Sequence, residues 1–167
     1  PKQFRWTYKT QGFDYDALSA TDEDRRRVRA EFGFEDAFVV GCVARFFRTK
    51  GHVYLLAAAR QLSREIPNLK ILLLGGGGRT AIEAMIRENG LEDRVVFAGY
   101  RSDVPACLRA MDVVVHPSLT EAFCQAVIEA LAVEAPLVVT NVAGAPEVVT
   151  DGEHGLLVPP ADPEAIV

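Results

Sequence analysis

Six short runs of apolar residues recur from position 38 onward, separated by longer stretches with a helical pattern. The runs predict strands at Phe38–Val43, Leu69–Leu74, Arg94–Phe97, Asp112–Val115, Leu137–Thr140 and Gly155–Val158. Helices are predicted near His52–Ile66, Thr80–Asn89, Val104–Ala110 and Phe123–Val133. Nearly every strand is apolar on both faces, as in a parallel sheet covered by helices. The pattern therefore predicts an α/β fold, a doubly wound parallel sheet of about six strands with helices on both faces.

The amino-terminal part of the chain stands apart from this pattern. Residues 1–20 are aromatic and polar without a clear period, and we interpret them as a linker or as a segment that packs on a missing partner. The stretch Thr21–Phe32 predicts a helix, because Thr21 is a natural cap and three acidic residues follow it. We therefore divide the chain into a linker and helix packing on the domain, residues 1–36, and one α/β domain, residues 37–167.

Composition narrows the class of protein. The 167 residues are 49% hydrophobic and 25% charged, which suits one soluble globular domain. No apolar run approaches the roughly 18 residues of a membrane span, and the first ten residues lack the apolar core that a signal peptide has. The chain opens with Pro1, so we expect it to be a piece of something longer.

Charge and the distribution of metal-binding residue types exclude further classes. The net charge of −5 disfavours nucleic acid as a partner. Three cysteines without a C-x-x-C pair predict reduced, mostly buried thiols and a cytoplasmic location. Because His52, His116 and His154 are scattered without metal-ligand spacing, no metal site is expected.

The loop after the first predicted strand concentrates positive charge in an acidic chain. Arg45, Arg48 and Lys50 lie within six positions of each other. Arginine offers a planar fork and lysine a compact charge, and together they suit a phosphate or diphosphate. An ordinary solvated loop is the alternative.

Four glycines follow the second predicted strand. Gly75 and Gly77 fit the start of the dinucleotide fingerprint G-x-G-x-x-G, but Thr80 occupies the third glycine position. The next strand also ends without an acid to hold a ribose, so a nicotinamide cofactor is not expected. Close approach of the backbone to a ligand and a tight turn without a ligand both remain open.

The loop after the fourth predicted strand carries polar residues suited to a helix start, among them Ser118, Thr120 and Glu121. The amides of such a helix end would attract a phosphate. If the helix ran unbroken from Glu121 to Glu129, the rise would be about 12 Å. The two carboxylates could then accept hydrogen bonds from hydroxyl groups at the two ends of one ligand. Alternatively, Glu121 caps the helix and Glu129 is a surface charge.

Taken in order, these loops resemble the carboxyl-terminal, donor-binding domain of retaining glycosyltransferases of family four, which have the two-domain GT-B architecture. The match covers roughly Phe38 to Pro160. Its motifs are Arg45 with Lys50-Gly51, the glycine turn, Phe97-x-Gly99, Pro117-Ser118, Glu121 with seven residues to Glu129-Ala130, and Gly144-x-Pro146-Glu147. The resemblance implies a Rossmann-like, nucleotide-sugar-binding domain over residues 37–167.

The resemblance also implies roles for individual residues. Arg45 and Lys50 would hold the diphosphate of a nucleotide diphosphate sugar, and Glu121 would contact the sugar. These three are the expected catalytic residues, with no metal or other cofactor. Other residues implied in substrate binding are Gly75, Gly77, Tyr100, Arg101, Ser118, Ala122, Phe123, Cys124 and Glu129. Of these, Glu129 would bind the ribose and Tyr100 and Arg101 would lie by the base.

The implied activity is hexosyl transfer from the donor to an unknown glycan, lipid or small-molecule acceptor. A sugar-nucleotide epimerase or phosphorylase half, or a non-catalytic nucleotide-binding module, is the alternative. Because the family's amino-terminal acceptor domain and closing helices are missing, we expect the isolated domain to be inactive. Any peripheral membrane association would come through the absent part of the parent.

Two residues depart from the family pattern. Ala122 and Glu134 both stand where the family usually has glycine. At Ala122 the change would affect how closely the backbone approaches a ligand. If position 134 needs a positive φ, a side chain there costs about 1 kcal/mol.

Overall fold

A computed structural model describes residues 18–167, and within them six parallel strands form one sheet. The strands are β1 (Phe38–Val43), β2 (Leu69–Leu74), β3 (Val95–Gly99), β4 (Val113–His116), β5 (Leu137–Thr140) and β6 (Leu156–Val158). The helices are α1 (Asp22–Phe32), α2 (His52–Glu65), α3 (Thr80–Glu88), α4 (Val104–Ala110), α5 (Gln125–Ala132) and α6 (Ala145–Val148). Single 3₁₀ turns lie at Arg48–Lys50 and Glu164–Ile166. Residues 1–17 of the predicted linker lie outside the described residues.

Each face of the sheet carries its own core. Successive side chains of a strand point to opposite faces, so Leu72 of β2 shares a core with Val127 of α5. Its neighbour Ile71 shares the opposite core with Leu55 of α2. This two-sided burial explains why the strands are apolar throughout, and the predicted α/β fold is confirmed.

Element bounds agree with the sequence pattern except where side chains redirect the backbone. The bounds of β1, β2, β5 and α4 are those predicted, and the ends of the other predicted strands and helices move by one or two residues. The prediction that a helix starts at Phe123 was wrong by two residues, because α5 begins at Gln125.

Helix α1 is capped at its amino end and is bound to the rest of the domain by side-chain hydrogen bonds. Thr21 caps it as predicted: the Thr21 hydroxyl accepts from the Asp24 amide, and the Asp24 carboxylate accepts from the Thr21 amide. The helix ends at Gly33, whose φ is 67°. The buried Arg29 donates to the Asp112 carboxylate at 3.1 Å and to nearby main-chain carbonyls. These bonds fix α1 against the entry to β4.

The strand order β3-β2-β1-β4-β5-β6 places a switch point in the middle of the sheet. From β1 the chain winds outward through β2 and β3, and then returns to pair β4 on the other side of β1. The chain therefore leaves β1 toward one half of the sheet and leaves β4 toward the other half. In sheets of this kind the ligand crevice opens at the switch point, at the carboxyl ends of the strands.

The loops that follow β1 and β4 meet across the switch point. The Leu119 amide donates to the Thr49 carbonyl at 2.8 Å. Gly51 has a φ of 68°, and a Cβ at this position would lie 1.8 Å from the carbonyl oxygen of Pro117. The two backbones thus approach each other at a distance that admits glycine alone.

A second backbone position is strained. Glu134, just beyond the end of α5, has a φ of 56°. The departure from the family's glycine therefore falls at a left-handed position, where a side chain carries a conformational cost.

We expect Gly51→Ala to destabilise the chain more than Gly33→Ala. Both positions have a positive φ, which costs about 1 kcal/mol for alanine, but a Cβ at Gly33 meets nothing within 4 Å. Gly51→Ala should lose a further ~1–3 kcal/mol through its clash with Pro117. Urea unfolding of the two variants measures the difference, and equal losses would contradict the close approach.

We expect Glu134→Gly to raise the free energy of unfolding by about 1 kcal/mol, because glycine adopts the left-handed conformation without strain. Glu134→Ala is the matched control, since it removes the same carboxylate and keeps the strain. An equal gain in both variants in urea unfolding would show that the charge, and not the backbone, sets the cost.

Candidate functional site

A cavity of about 260 Å³ opens at the carboxyl ends of β1, β2 and β3, beside α5. Five of the residues predicted to bind or act on the substrate line it: Arg45, Gly75, Tyr100, Arg101 and Glu129. The other lining residues are Val43, Ala44, Leu74, Gly99, Val104, Gln125 and Ala126. The structure thus brings together positions from four separate segments of the sequence.

The glycine turn shapes the floor of this cavity through packing. A Cβ at Gly75 would lie 2.1 Å from the Ala44 carbonyl oxygen, and the Gly75 amide donates to the Gly99 carbonyl. A Cβ at Gly76 would lie 2.2 Å from the Tyr100 ring. Gly77 packs instead beside Phe46, outside the cavity lining. Both predicted glycines therefore serve the turn, and Gly75 alone of the two borders the cavity.

Tyr100 and Arg101 differ in how available they are. Tyr100 is 80% exposed at the edge of the cavity. The Arg101 guanidinium donates to the carboxylates of Glu31 and Asp103, with nitrogen–oxygen distances from 2.5 to 2.9 Å. Hydrogen bonds to Glu31 and Asp103 raise the pKa of Arg101 above its ordinary value. Arg101 therefore borders the cavity with its charge already paired.

Glu129 lies half-buried on α5 and lines the cavity. Burial raises the pKa of its carboxyl, although a hydrogen bond with Gln125 acts in the opposite direction. Glu129 is therefore partly accessible, at the wall of the cavity. A carboxylate in this position is suited to accept hydrogen bonds from ligand hydroxyls.

A second cluster lies where the loops after β1 and β4 meet. Glu121 Oε1 accepts from Lys50 Nζ at 2.5 Å and from Ser118 Oγ at 2.8 Å, and it lies 2.8 Å from His116 Nε2. His116, Ser118 and Glu121 are all buried. Burial raises the pKa of the Glu121 carboxyl, but hydrogen bonds from His116, Lys50 and Ser118 outweigh it and lower the pKa to about 2. Glu121 is therefore ionised at neutral pH.

These contacts correct two expectations about the loop after β4. The cap position of α5 is held by Cys124, without a side-chain capping bond, so Glu121 does not cap the helix. Glu121 also lies in the loop and not on the helix, so the separation calculated for an unbroken helix to Glu129 does not apply. Both differences arise because the loop's polar side chains bond to one another and to Lys50.

The other predicted residues of this loop vary in exposure. Ala122 is exposed and is not among the positive-φ residues, so it fits its position without backbone strain. Phe123 is 36% exposed. Cys124 is buried, and burial raises the pKa of its thiol to about 11, so it is a neutral thiol at pH 7.

The cationic loop spans both parts of the site. Arg45 lines the cavity and stacks on the Phe47 ring at 4.4 Å, while Lys50 reaches Glu121. The two predicted cations thus have different surroundings: Arg45 lines the cavity, and Lys50 is paired with Glu121. The cationic loop and the loop leading to Glu129 therefore lie side by side.

Sequence reasoning missed His116 and Gln125. His116 was considered as a metal ligand and set aside, although it ends a strand at the sheet edge where chemistry was expected. Gln125 lies four positions before Glu129, on the same side of α5.

Across the described residues, His, Cys, Asp and Glu side chains form no group of three that could hold a metal ion. No described helix is long and apolar enough to span a bilayer.

Comparison with known proteins gives consistent matches over most of the chain. Residues 24–167 match the family described as glycosyl transferases group 1. The chain is 32% identical over 143 residues to alpha-D-kanosaminyltransferase of Streptomyces kanamyceticus, covering 84% of this chain and 37% of that protein. It is 36% identical over 157 residues to D-inositol 3-phosphate glycosyltransferase of Mycobacteroides abscessus, covering 89% and 34%. The chain therefore spans little more than a third of these relatives.

Solved structures share the fold. Anabaena HepE, crystallised with UDP-glucose, aligns with a TM-score of 0.86 and 31% identity, over 93% of this chain and 44% of that one. Sucrose-phosphate synthase of Thermosynechococcus elongatus aligns with a TM-score of 0.82 and 33% identity, over 93% and 40%. Because the family match covers residues 24–167 and these structures share the Rossmann-like fold, the chain belongs to the glycosyl transferases group 1 family, as its sequence motifs predicted.

Proposed function

We propose that this chain is the donor-binding domain of a retaining glycosyltransferase, which transfers a hexosyl group from a nucleotide diphosphate sugar to an acceptor. The main support for this proposal is the position of the cationic loop. Its Arg45 lines a cavity of about the size of a nucleoside, and its Lys50 contacts the buried carboxylate of Glu121. HepE, a structural neighbour, was crystallised with UDP and with UDP-glucose. The acceptor site would lie in the absent part of a longer parent, since the relatives are more than twice as long as this chain.

The size of the cavity sets how a donor would lie. At about 260 Å³ it is smaller than the roughly 300–1,000 Å³ of sites that enclose whole drug-sized ligands. A nucleoside would fill it, with the base near Tyr100 and the ribose hydroxyls on Glu129. The diphosphate would then pass along the loop from Arg45 to Lys50, and the sugar would reach Glu121.

The charges fit the chemistry of transfer. Breaking the sugar–phosphate bond leaves a nucleoside diphosphate with additional negative charge, which Arg45 and Lys50 would stabilise without a metal. Ionised Glu121 would accept a hydrogen bond from a hydroxyl of the transferred sugar. Roles for Gly77, Phe123 and Cys124 in binding remain predictions.

A cytoplasmic location of the parent is a further part of the proposal. The three cysteines are buried and unpaired, as expected in the reducing cytoplasm. Peripheral membrane association of the parent would have to come from the absent part.

We expect Arg45→Ala to weaken binding of a nucleoside diphosphate to this chain by at least tenfold, because a charge-assisted hydrogen bond is worth about 1.5–3 kcal/mol. Arg48→Ala is the matched control, since it removes an exposed cation from the same loop that does not line the cavity. Calorimetric titration with UDP, GDP and ADP and their glucose conjugates gives the affinities. No binding of any of these at millimolar concentration by the folded chain would contradict the proposal.

In the full-length parent, we expect Lys50→Ala and Glu121→Gln each to lower kcat for transfer by roughly 100-fold or more, the size of effect seen when one transition-state contact is lost. Glu153→Gln, an exposed carboxylate far along the sequence from the site, should leave kcat unchanged. Retained transfer in both site variants would defeat the catalytic assignment. Donor binding by a wild-type parent without transfer would favour the non-catalytic module.

A further inference from the structure

We propose that His116 and Ser118 are positioning residues that fix the carboxylate of Glu121 independently of Lys50, so that Glu121 stays in place when Lys50 turns to the donor diphosphate. The inference rests on the proposed function, because it concerns how that site works once a donor is bound. Its basis is the set of contacts around one oxygen atom of Glu121.

The proton on His116 can be assigned from its neighbour. Ionised Glu121 can only accept hydrogen bonds. His116 Nε2 lies 2.8 Å from Glu121 Oε1, and two lone pairs facing each other at that distance would repel. Nε2 must therefore carry the hydrogen and donate it to Oε1. The imidazole thus acts as a fixed donor to the carboxylate.

Donors saturate one oxygen of Glu121. Lys50, His116 and Ser118 all reach Oε1, which offers two lone pairs. Among the described residues, no hydrogen bond is made to Oε2. Oε2 is therefore the atom of Glu121 that accepts a hydroxyl of the donor sugar.

The three donors differ in how firmly they are held. The side chain of Lys50 is 24% exposed, whereas that of His116 is 5% exposed. Thr140, at the end of β5, donates to the carbonyls of Ser118 at 2.6 Å and His116 at 3.2 Å. The backbone that carries His116 and Ser118 is thus tied to the sheet, and Lys50 is the member of the cluster that can move.

This difference matters when an anion arrives. A diphosphate competes with Glu121 for the ammonium group of Lys50, and a buried carboxylate that lost its sole partner would be strongly destabilised. His116 and Ser118 keep two hydrogen bonds on Oε1 after Lys50 leaves. The site can therefore give up its ion pair to the ligand without releasing Glu121.

The test uses the full-length parent, with kcat for transfer and the Kd for the nucleoside diphosphate measured separately. We expect His116→Ala to lower kcat 10–100-fold, the usual loss when a partner of a reacting group is removed. The Kd should stay within twofold, because His116 does not line the nucleoside cavity. His116→Gln keeps an N–H donor and should recover most of kcat, while Ser118→Ala should lower kcat less than His116→Ala.

His52→Ala is the matched control. His52 is a buried histidine at the start of α2, and its Nε2 has no hydrogen-bond partner among the described residues. Its loss should lower stability as His116→Ala does and leave kcat within twofold of the wild type. If His116→Ala fails to fold, Ser118→Ala carries the test, since it removes one donor to Glu121 with little loss of volume.

The outcomes separate the inference from the proposed function. A wild-type parent that shows no transfer overturns both. A wild-type parent that transfers, alongside folded His116→Ala and Ser118→Ala variants of unchanged kcat, overturns the inference alone. An equal fall of kcat in His52→Ala, or a fall in nucleotide affinity that accounts for the whole effect of His116→Ala, also overturns it. A selective fall of kcat with rescue by glutamine supports it.

Discussion

The ion pair between Lys50 and Glu121 is the contact on which the site depends, because it joins the loops that leave β1 and β4 at the switch point of the sheet. Burying a carboxylate is unfavourable unless hydrogen bonds replace its water. Here three donors replace it, and the outcome is a strongly lowered pKa. The same contact fixes one end of the cationic loop, whose other end, at Arg45, lines the cavity.

The sequence was sufficient for those features that depend on neighbours in the chain. The apolar runs of β1 and β2 gave their bounds correctly, because burial on both faces leaves no ambiguity about which residues belong to a strand. The start of α5 was misplaced, since Glu121 is bonded to Lys50, 71 positions away, and no local pattern contains that contact. His116 escaped notice for a different reason: its partner Glu121 is only five positions away, but they are joined by an irregular loop, which has no periodic pattern in the sequence.

Arg101 illustrates a related limit. Its position beside the base followed from family motifs, and it does line the cavity. Its charge, however, is shared between Glu31 of α1 and Asp103, which precedes α4. Helix α1 is thus connected to the edge of the cavity through the guanidinium of Arg101. Motifs locate such a residue, but its partners decide whether its charge is available to a ligand.

The order of the strands has a consequence for how the chain matures during synthesis. β1, near the centre of the sheet, pairs β2 along its whole length, whereas its pairing with β4 joins Val40 to Val113 and Gly41 to Val114. Because synthesis proceeds from the amino terminus, β2 is available to pair with β1 before β4 is. One edge of β1 therefore stays unpaired until β4 has been synthesised. The cavity cannot be complete before α5, which follows β4 in the chain and lines it, has been synthesised.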